Sequence, residues 1–540
     1  MELTDTRPAA QAASPSAELR PTGIAGFLGT GDHKALGRIL IILSILVVAA
    51  SEVLGVILRL DTVNTKNHQL LSVERSLSLS TLQPTGAVLV GLIPLLLGIA
   101  MVVVPLQIGS RSLALPRAAA AGVWGYFMAG TLLIVSYFTS GGPGGSRANS
   151  VELWLLSIAL LVASIVLISV VLVTTVFTQR APGMSMTRIP LFSWAMVVAG
   201  IQWALTLPVL GLLAMLAWVD RAHGGLMTGA DTAFSHFAWV FDQPQIYALA
   251  IPALGIAGDV IATFARARDE FRRSISMVFI GLFGALSVGV FTVTTYSDFG
   301  GTVKPVRFDN PVIIFMSILI VLPVLGMLGQ AADSFRRGRS EGGPDKATPL
   351  PGAVVSLVLL ATAVLLGAFE PIKRFDLTAS LYPDAVIQLV IGATIAAASA
   401  ALFHWSSKIV GSQSFRLTGM VAALLALLGS LAIAVADVLT SITGSKAQHT
   451  KGTHAYNLLA VAGWVGIAGT VFLTIGALGV AARRFSLDDT EPDPWGVGQT
   501  LEWATASPPA YENFVEIPPV GSESPLADSL SADVDMEVAR

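Results

Sequence analysis

The stretch W-V-F-D-Q-P-Q-I-Y-A-L-A-I-P, from Trp239 to Pro252, has apolar ends and a polar centre. The apolar ends predict a segment that enters the hydrocarbon of a membrane, where an unpartnered polar group costs several kcal/mol. The centre nevertheless places four polar side chains around Pro244, namely Asp242, Gln243, Gln245 and Tyr247. The stretch therefore predicts a membrane-embedded bundle with a polar site in its interior.

The composition of the whole chain agrees with a membrane protein. Its 540 residues are 54% hydrophobic and only 12% charged, and a soluble domain needs more charge on its surface. The absence of cysteine excludes disulfides, thiolate metal sites and cysteine nucleophiles. A net charge of −3 gives no indication of nucleic-acid binding.

Apolar runs of about 20 residues, each long enough to cross a bilayer, recur along the chain. They predict an all-α polytopic membrane protein with twelve transmembrane helices, at 37–60, 84–106, 118–138, 152–178, 190–218, 234–263, 274–296, 311–332, 351–369, 384–404, 417–440 and 455–480. An even number of crossings places both termini on one side. The loops on that side are richer in arginine and lysine, so the positive-inside rule predicts that both termini are cytoplasmic, in a bacterial-type plasma-membrane protein.

The regions outside the helices are polar. Residues 1–34 have no signal-peptide pattern and are expected to form a disordered cytoplasmic tail before a membrane domain over 35–484. The segment 485–520 is rich in aromatic residues and is expected to pack on the cytoplasmic face of the bundle. Residues 521–540 are expected to form an acidic disordered tail.

Several segments resemble subunit I of the haem–copper oxidases, the cytochrome c oxidase family. The matching segments occur in the family's order: GDHKALG at 31–37, VPLQIGSRSLALPR at 104–117, QRAPGMSMTRIPLFSW at 179–194, AFSHFAWVFDQPQIYALAIP at 233–252, FHWSSKIVG at 403–411 and DPWGVGQTLEWATASPP at 493–509. The resemblance implies a twelve-helix bundle around two haems and a copper ion, where dioxygen is reduced and protons are moved. Histidines hold these metals in the family, because imidazole binds both haem iron and copper.

This sequence departs from the family at the metal-ligand positions. The resemblance places one axial ligand of the low-spin haem at Gln83. It places the family's His-Phe-His triplet, which supplies the second low-spin ligand and the high-spin ligand, at Val386, Ile387 and Gln388. A copper ligand falls at Gln243, and the family's histidine pair falls between Val288 and Phe291. None of these positions is a histidine.

The seven histidines of the chain support the same conclusion without an alignment. They are residues 33, 68, 223, 236, 404, 449 and 454, and no histidine lies between His236 and His404. The predicted helices seven to ten therefore have no imidazole in their interior to donate. We expect no haem and no copper, and no catalytic residue.

The proton-transfer positions implied by the resemblance have also changed. Gln245 replaces a glutamate, Ser112 an aspartate, and Met327 lies near the family's intramembrane lysine. A proton relay needs groups that titrate near the working pH. Tyr247 matches a redox-active tyrosine of the family but lacks the histidine to which that tyrosine is joined.

The polar residues that remain define a candidate cavity of Gln83, Asp242, Gln243, Gln245, Tyr247 and Gln388. These groups either form a hydrogen-bonded plug or line a solvated space with Asp242 as its charged group. Glu52, in the first predicted helix, is a further intramembrane acid.

Three functions remain open. The first is a non-catalytic scaffold or regulatory subunit of a respiratory or related membrane complex, with oxidase subunits II- or III-like as partners. The second is a working terminal oxidase subunit with non-standard ligands. The third is a conduit for a small molecule or ion.

Overall fold

A computed structural model describes residues 23–63, 70–143, 145–223, 237–266, 270–289, 311–338, 348–372, 377, 380–413, 416–443, 454–485, 491–514, 516–518 and 520–526. Within these residues the protein contains helices and no strand. In chain order the α-helices are α1 Gly23–Leu28, α2 His33–Val63, α3 Val73–Pro84, α4 Ile93–Gln107, α5 Pro116–Phe138, α6 Ala148–Thr178, α7 Leu191–His223, α8 Ile251–Ala265, α9 Glu270–Leu286, α10 Pro311–Leu319, α11 Val321–Gly338, α12 Pro349–Gly367, α13 Tyr382–His404, α14 Ser406–Val410, α15 Arg416–Ile442 and α16 His454–Arg484.

Eleven helical segments of the described chain are long and apolar enough to cross a membrane. They follow the predicted order, so the prediction of an all-α membrane bundle is confirmed. The predicted helix at 274–296 corresponds to α9, which begins earlier and ends at Leu286. Residues 287–289 leave the helix, and the rest of that prediction lies outside the described residues.

The predicted helix at 234–263 is wrong over its first half. Residues 239–244 form turns, Gln245–Ala250 is a short 3₁₀ helix, and α8 begins only at Ile251. Pro244 accounts for this difference, because proline lacks a backbone N–H and disfavours a helical residue before it. The polar centre of the opening stretch is therefore a folded loop that leads into α8.

The second membrane-spanning helix is continuous, but its hydrogen-bonding pattern changes partway along. A π-helix over Thr85–Leu92 joins α3 to α4 directly after Gln83 and Pro84. All residues of this π-helix are buried. Pro84 has no N–H to donate, and wider turns of this kind occur where the regular hydrogen-bond ladder is interrupted.

The described ends of the chain meet on one face of the bundle, which we call the terminal face. There the Nε2 of His33, at the start of α2, lies 3.1 Å from Asn513 Oδ1, and the Asn513 amide donates to the carbonyl of Ser110. Residues 23–34 and 521–526 fall within predicted tails, yet the first contain helix α1 and the second contain Glu523, which pairs with Arg273.

A buried lysine makes several of the contacts that hold the C-terminal segment, residues 491–514, on the bundle. Lys408 in α14 donates from Nζ to the carbonyls of Pro492 (2.8 Å) and Thr505 (2.5 Å) and to the hydroxyl of Ser507 (3.1 Å). These oxygens satisfy the three donors of an ammonium group. The segment is thus anchored to the terminal face by specific polar contacts.

Candidate functional site

The loop before α8 brings two of the predicted site residues together. The Tyr247 hydroxyl donates to Gln243 Oε1 over 2.9 Å, and Gln243 Nε2 donates to the carboxyl of Glu370. Tyr247 is 1% exposed and Glu370 is 7% exposed. The Gln243 amide is therefore engaged through both its oxygen and its nitrogen.

Three carboxyls lie near this amide, on the face opposite to the terminal face. Burial, together with the smaller effects of the charges on Asp242 and Asp384, raises the pKa of Glu370 to about 8. Asp242 is half-buried beside Gln243, and Asp384 is exposed in the first turn of α13. Glu370 consequently holds a proton more strongly than a glutamate in water does.

Gln245 joins two other parts of the bundle. Its Nε2 donates to the hydroxyl of Thr206 in α7 over 3.1 Å, and its Oε1 accepts the backbone N–H of Gly289 over 2.8 Å. Gln245 is 3% exposed. Both ends of this amide are satisfied by the protein.

The end of α9 approaches Gln245 more closely than a side chain would allow. A Cβ added to Gly289 would lie 2.5 Å from Gln245 Cβ and 2.8 Å from its backbone nitrogen. Val288 and Gly289 begin the range in which the family's histidine pair was placed, whereas Val290 and Phe291 lie outside the described residues. At Gly289, atoms of Gln245 therefore occupy the space that a side chain would need.

The two glutamines at the haem-ligand positions behave differently. Gln83, at the end of α3, is 6% exposed, and its Nε2 has no hydrogen-bond partner among the described residues. The Oε1 of Gln388 in α13 likewise has none. Val386, in the same predicted triplet, is fully buried and apolar. The amides of Gln243 and Gln245 are therefore hydrogen-bonded within the protein. In contrast, Gln83 Nε2 and Gln388 Oε1 have no hydrogen-bond partner among the described residues.

The donors present do not fit haem iron or copper. Among described side chains, His33 contacts the Met101 carbonyl, His454 is exposed near the Val63 carbonyl, and His404 packs against the ring of Phe264. His404 is sixteen residues beyond Gln388, or roughly 24 Å along the helix. No group of three or more histidine, aspartate or glutamate side chains in the described part of the chain is arranged to hold a metal ion. Amide groups are poor substitutes for imidazole.

The predicted proton-transfer positions are dispersed. Ser112 is exposed on the terminal face, and Met327 is buried in α11. Asp259, in α8, contacts the start of α7. Its carboxylate accepts the backbone N–H groups of Leu191 and Phe192 over 2.9 and 3.0 Å, which satisfies the first turn of α7.

Sequence reasoning missed a buried ion pair between distant helices. Arg59 in α2 pairs with Asp437 in α15, and both are less than 9% exposed. Arg59 also acts electrostatically on Asp384. Asp384 and Asp437 each lie more than 300 positions from Arg59 in the sequence, so no local sequence pattern relates them to it. The spacing of four between Asp384 and Gln388 is the one available signal, since it places both on one helix face.

These features define a class of protein: a multi-span helical membrane bundle whose interior loop carries amides and carboxyls. The chain belongs to the cytochrome c and quinol oxidase polypeptide I family, whose sequence profile matches residues 35–472. It is thus a cytochrome c oxidase subunit I-like membrane protein.

Similar bacterial proteins cover nearly the whole chain. A probable cytochrome c oxidase subunit 1-alpha of Streptomyces coelicolor is 26% identical over 93% of this chain and 89% of its own length. A cytochrome c oxidase subunit 1 of Corynebacterium glutamicum is 26% identical over 92% and 87%, respectively. A cryo-EM structure of a haem–copper terminal oxidase dimer has a TM-score of 0.63 at 14% identity, covering 93% of this chain and 89% of that one. This last likeness concerns the fold.

Proposed function

We propose that this protein is a non-catalytic, cofactor-less subunit that serves as a scaffold or regulatory component of a respiratory or related membrane complex. The observation that carries the proposal is the hydrogen bonding of Gln243 and Gln245. At the positions where the family places a copper ligand and a proton-transfer glutamate, both amides are bonded within the protein.

The close approach of helices at this point supports the proposal. A Cβ on Gly367, at the end of α12, would collide with the Tyr247 hydroxyl and lie 2.6 Å from Gln243 Oε1. Together with the contact between Gly289 and Gln245, this leaves the loop enclosed by protein atoms. A metal ion in the same place would have to displace these contacts.

The terminal face supports a role in assembly. The C-terminal segment, the start of α2 and the loop after α4 are bonded to one another there through Asn513, His33 and Lys34. Members of an oxidase family assemble with other membrane subunits, so partners resembling oxidase subunits II or III are the first to seek. Isolation of the tagged protein from its own membranes, followed by identification of co-purifying subunits, tests this part of the proposal.

The decisive experiment is the cofactor content of the natively isolated protein. We expect metal analysis and reduced-minus-oxidised absorption spectra to show less than a stoichiometric amount of haem and copper. Stoichiometric haem or copper would instead support the second candidate, a working oxidase subunit with non-standard ligands.

A substitution gives an independent check on the haem position. Gln388→His introduces one imidazole, and its partner position, Gln83, still carries an amide. We therefore expect no low-spin, bis-ligated haem spectrum from this variant. Such a spectrum would show that the assignment of these two positions is incorrect.

A further inference from the structure

Several buried polar side chains have atoms without hydrogen-bond partners among the described residues, and four of them are Glu52, Gln83, Gln388 and Asp437. Both carboxyl oxygens of Glu52 are unpartnered, although this residue is 0% exposed. In the other three residues, the unpartnered atoms are Gln83 Nε2, Gln388 Oε1 and Asp437 Oδ2. Native proteins rarely leave such groups unsatisfied, and each one needs an explanation such as a bound ion or water.

Helix geometry places three of these side chains in one layer. The ion pair of Arg59 with Asp437 joins α2 to α15, and Glu52 lies seven residues before Arg59. Seven residues are two turns, so Glu52 is on the same face and about 10 Å deeper. Arg59 interacts electrostatically with Asp384 in α13. Gln388 lies one turn, about 6 Å, deeper than Asp384 on the same face of that helix.

Gln83 reaches the same layer from the second crossing. A Cβ on Gly86 would lie 2.5 Å from the hydroxyl of Ser51, so these two residues are in contact. Glu52 follows Ser51 towards the opposite face, and Gln83 lies three residues, about 4.5 Å, from Gly86 in the same direction. Glu52, Gln83 and Gln388 therefore occupy a layer about 5 Å thick, as judged from the rise per residue.

The exposure of polar side chains on α13 increases towards the opposite face. Asp384 is exposed and Gln388 is half-buried, although both belong to a helix that is otherwise largely buried. In contrast, Glu52 is completely buried. A ligand could pass Asp384 and Gln388 before it reaches Glu52.

The unpartnered atoms favour a positively charged ligand. Oxygen acceptors outnumber the single amide donor, and a carboxylate in hydrocarbon is very costly without a compensating charge. Arg59 is already engaged with Asp437. A monovalent cation with a preference for oxygen, or the three N–H donors of a primary ammonium, complements this set.

We infer that Glu52, Gln388 and Gln83 form a binding site for a monovalent cation, either an alkali ion or a primary ammonium. We call it the Glu52 site. It lies between α2, α3 and α13 and goes beyond the proposed scaffold function. A scaffold and an active oxidase could both contain this site. The cofactor analysis and the cation-binding test can therefore fail independently of each other.

The test is the salt dependence of thermal unfolding of the full-length protein in detergent, followed by tryptophan fluorescence. Ionic strength is held constant with choline chloride, which has no N–H donor, while sodium, potassium or methylammonium chloride replaces it. We expect a saturable increase in the unfolding temperature with at least one of these salts. A response to sodium or potassium alone identifies an alkali ion, and a response to methylammonium alone identifies an ammonium ligand.

Two variants distinguish the Glu52 site from other acidic groups. Glu52→Gln removes the charge and should abolish the salt response. Glu502→Gln removes another buried acid, at the terminal face, and should retain it. Equal unfolding temperatures of the wild type in all four salts, or a wild-type response in Glu52→Gln, would overturn the inference.

A third variant keeps the test decisive if Glu52→Gln does not fold. Gln388→Leu removes one oxygen ligand but no charge, and it should raise the half-saturating salt concentration about tenfold. An unchanged half-saturating concentration in Gln388→Leu would contradict the proposed site.

Discussion

A single amide, that of Gln245, connects three elements of the interior. It bonds Thr206 in α7 and the backbone of Gly289 after α9, and its own residue begins the 3₁₀ turn before α8. A glutamine can do this because its side chain both donates and accepts. A glutamate, which is the family's residue at this position, has no N–H with which to donate to Thr206.

Loss of this amide should destabilise the bundle. Gln245→Leu removes the hydrogen bonds to the Thr206 hydroxyl and the Gly289 N–H, and removal of one partner of a buried hydrogen bond costs about 2 kcal/mol. We expect a lower thermal unfolding temperature in detergent. Gln413→Leu is the matched control, because Gln413 is exposed and bonds only the Pro494 carbonyl. Equal losses in both variants would contradict the role given to Gln245.

The Glu370 carboxyl should make stability depend on pH. Its pKa rises from an ordinary 4.5 to about 8 in the folded protein, chiefly because of burial. The folded state therefore binds a proton more tightly than the unfolded state does. This contribution to stability is complete below about pH 4.5 and is lost as the pH rises to about 8.

The measurement is the unfolding temperature between pH 5 and pH 9, compared with that of Glu370→Gln. We expect the wild type to lose stability as the pH rises and the variant to lose less. Parallel curves for the two proteins would assign the pH dependence to other groups.

The sequence allowed only part of the site to be predicted. Pro244 and the polar residues around it indicate an interior polar loop, and the glutamines at 83, 243 and 388 follow from a motif comparison. Glu370 and Arg59 were missed, because their partners lie 127 and 378 residues away. Contacts over such separations depend on helix packing, which hydrophobic patterns do not specify.

Among the helices and segments, long apolar runs were the easiest to predict. Eleven of them are spans in the structure, since hydrocarbon thickness fixes the necessary length. The break before α8 and the π-helix after Pro84 were harder, because each depends on how neighbouring helices receive the backbone groups that a proline leaves unpaired.

The C-terminal segment should be released by loss of Lys408. Lys408→Met removes the three donors that hold Pro492, Thr505 and Ser507. We expect limited proteolysis of the intact protein to cut the C-terminal segment at a lower protease concentration, while the membrane helices remain protected.

Arg188→Met is the control for this experiment, since Arg188 is partly exposed on the same face and bonds only the Gly183 carbonyl among the contacts described. The proposed anchoring would be wrong if Lys408→Met and Arg188→Met gave the same digestion pattern as the wild type.

At the scale of the whole molecule, the described helices pack directly against one another. Its core is a large continuous cluster of buried apolar side chains contributed by most of the spans, with Gln243, Gln245 and the Arg59 pair as polar links. In a membrane such packing and interhelical hydrogen bonding supply most of the association energy.

The assembled protein should consequently be insensitive to haem supply. We expect cells depleted of haem, or grown without added copper, to yield the same amount of folded protein with the same unfolding temperature. Immunoblotting of membranes and thermal unfolding of the purified chain measure both quantities. A clear drop in either under haem depletion would contradict the proposed cofactor-less scaffold.

The contact between Gly289 and Gln245 restricts which residues position 289 can accept. A histidine there needs room that the neighbouring main chain already occupies. Any side chain at this position would have to push the end of α9 away from the loop before α8.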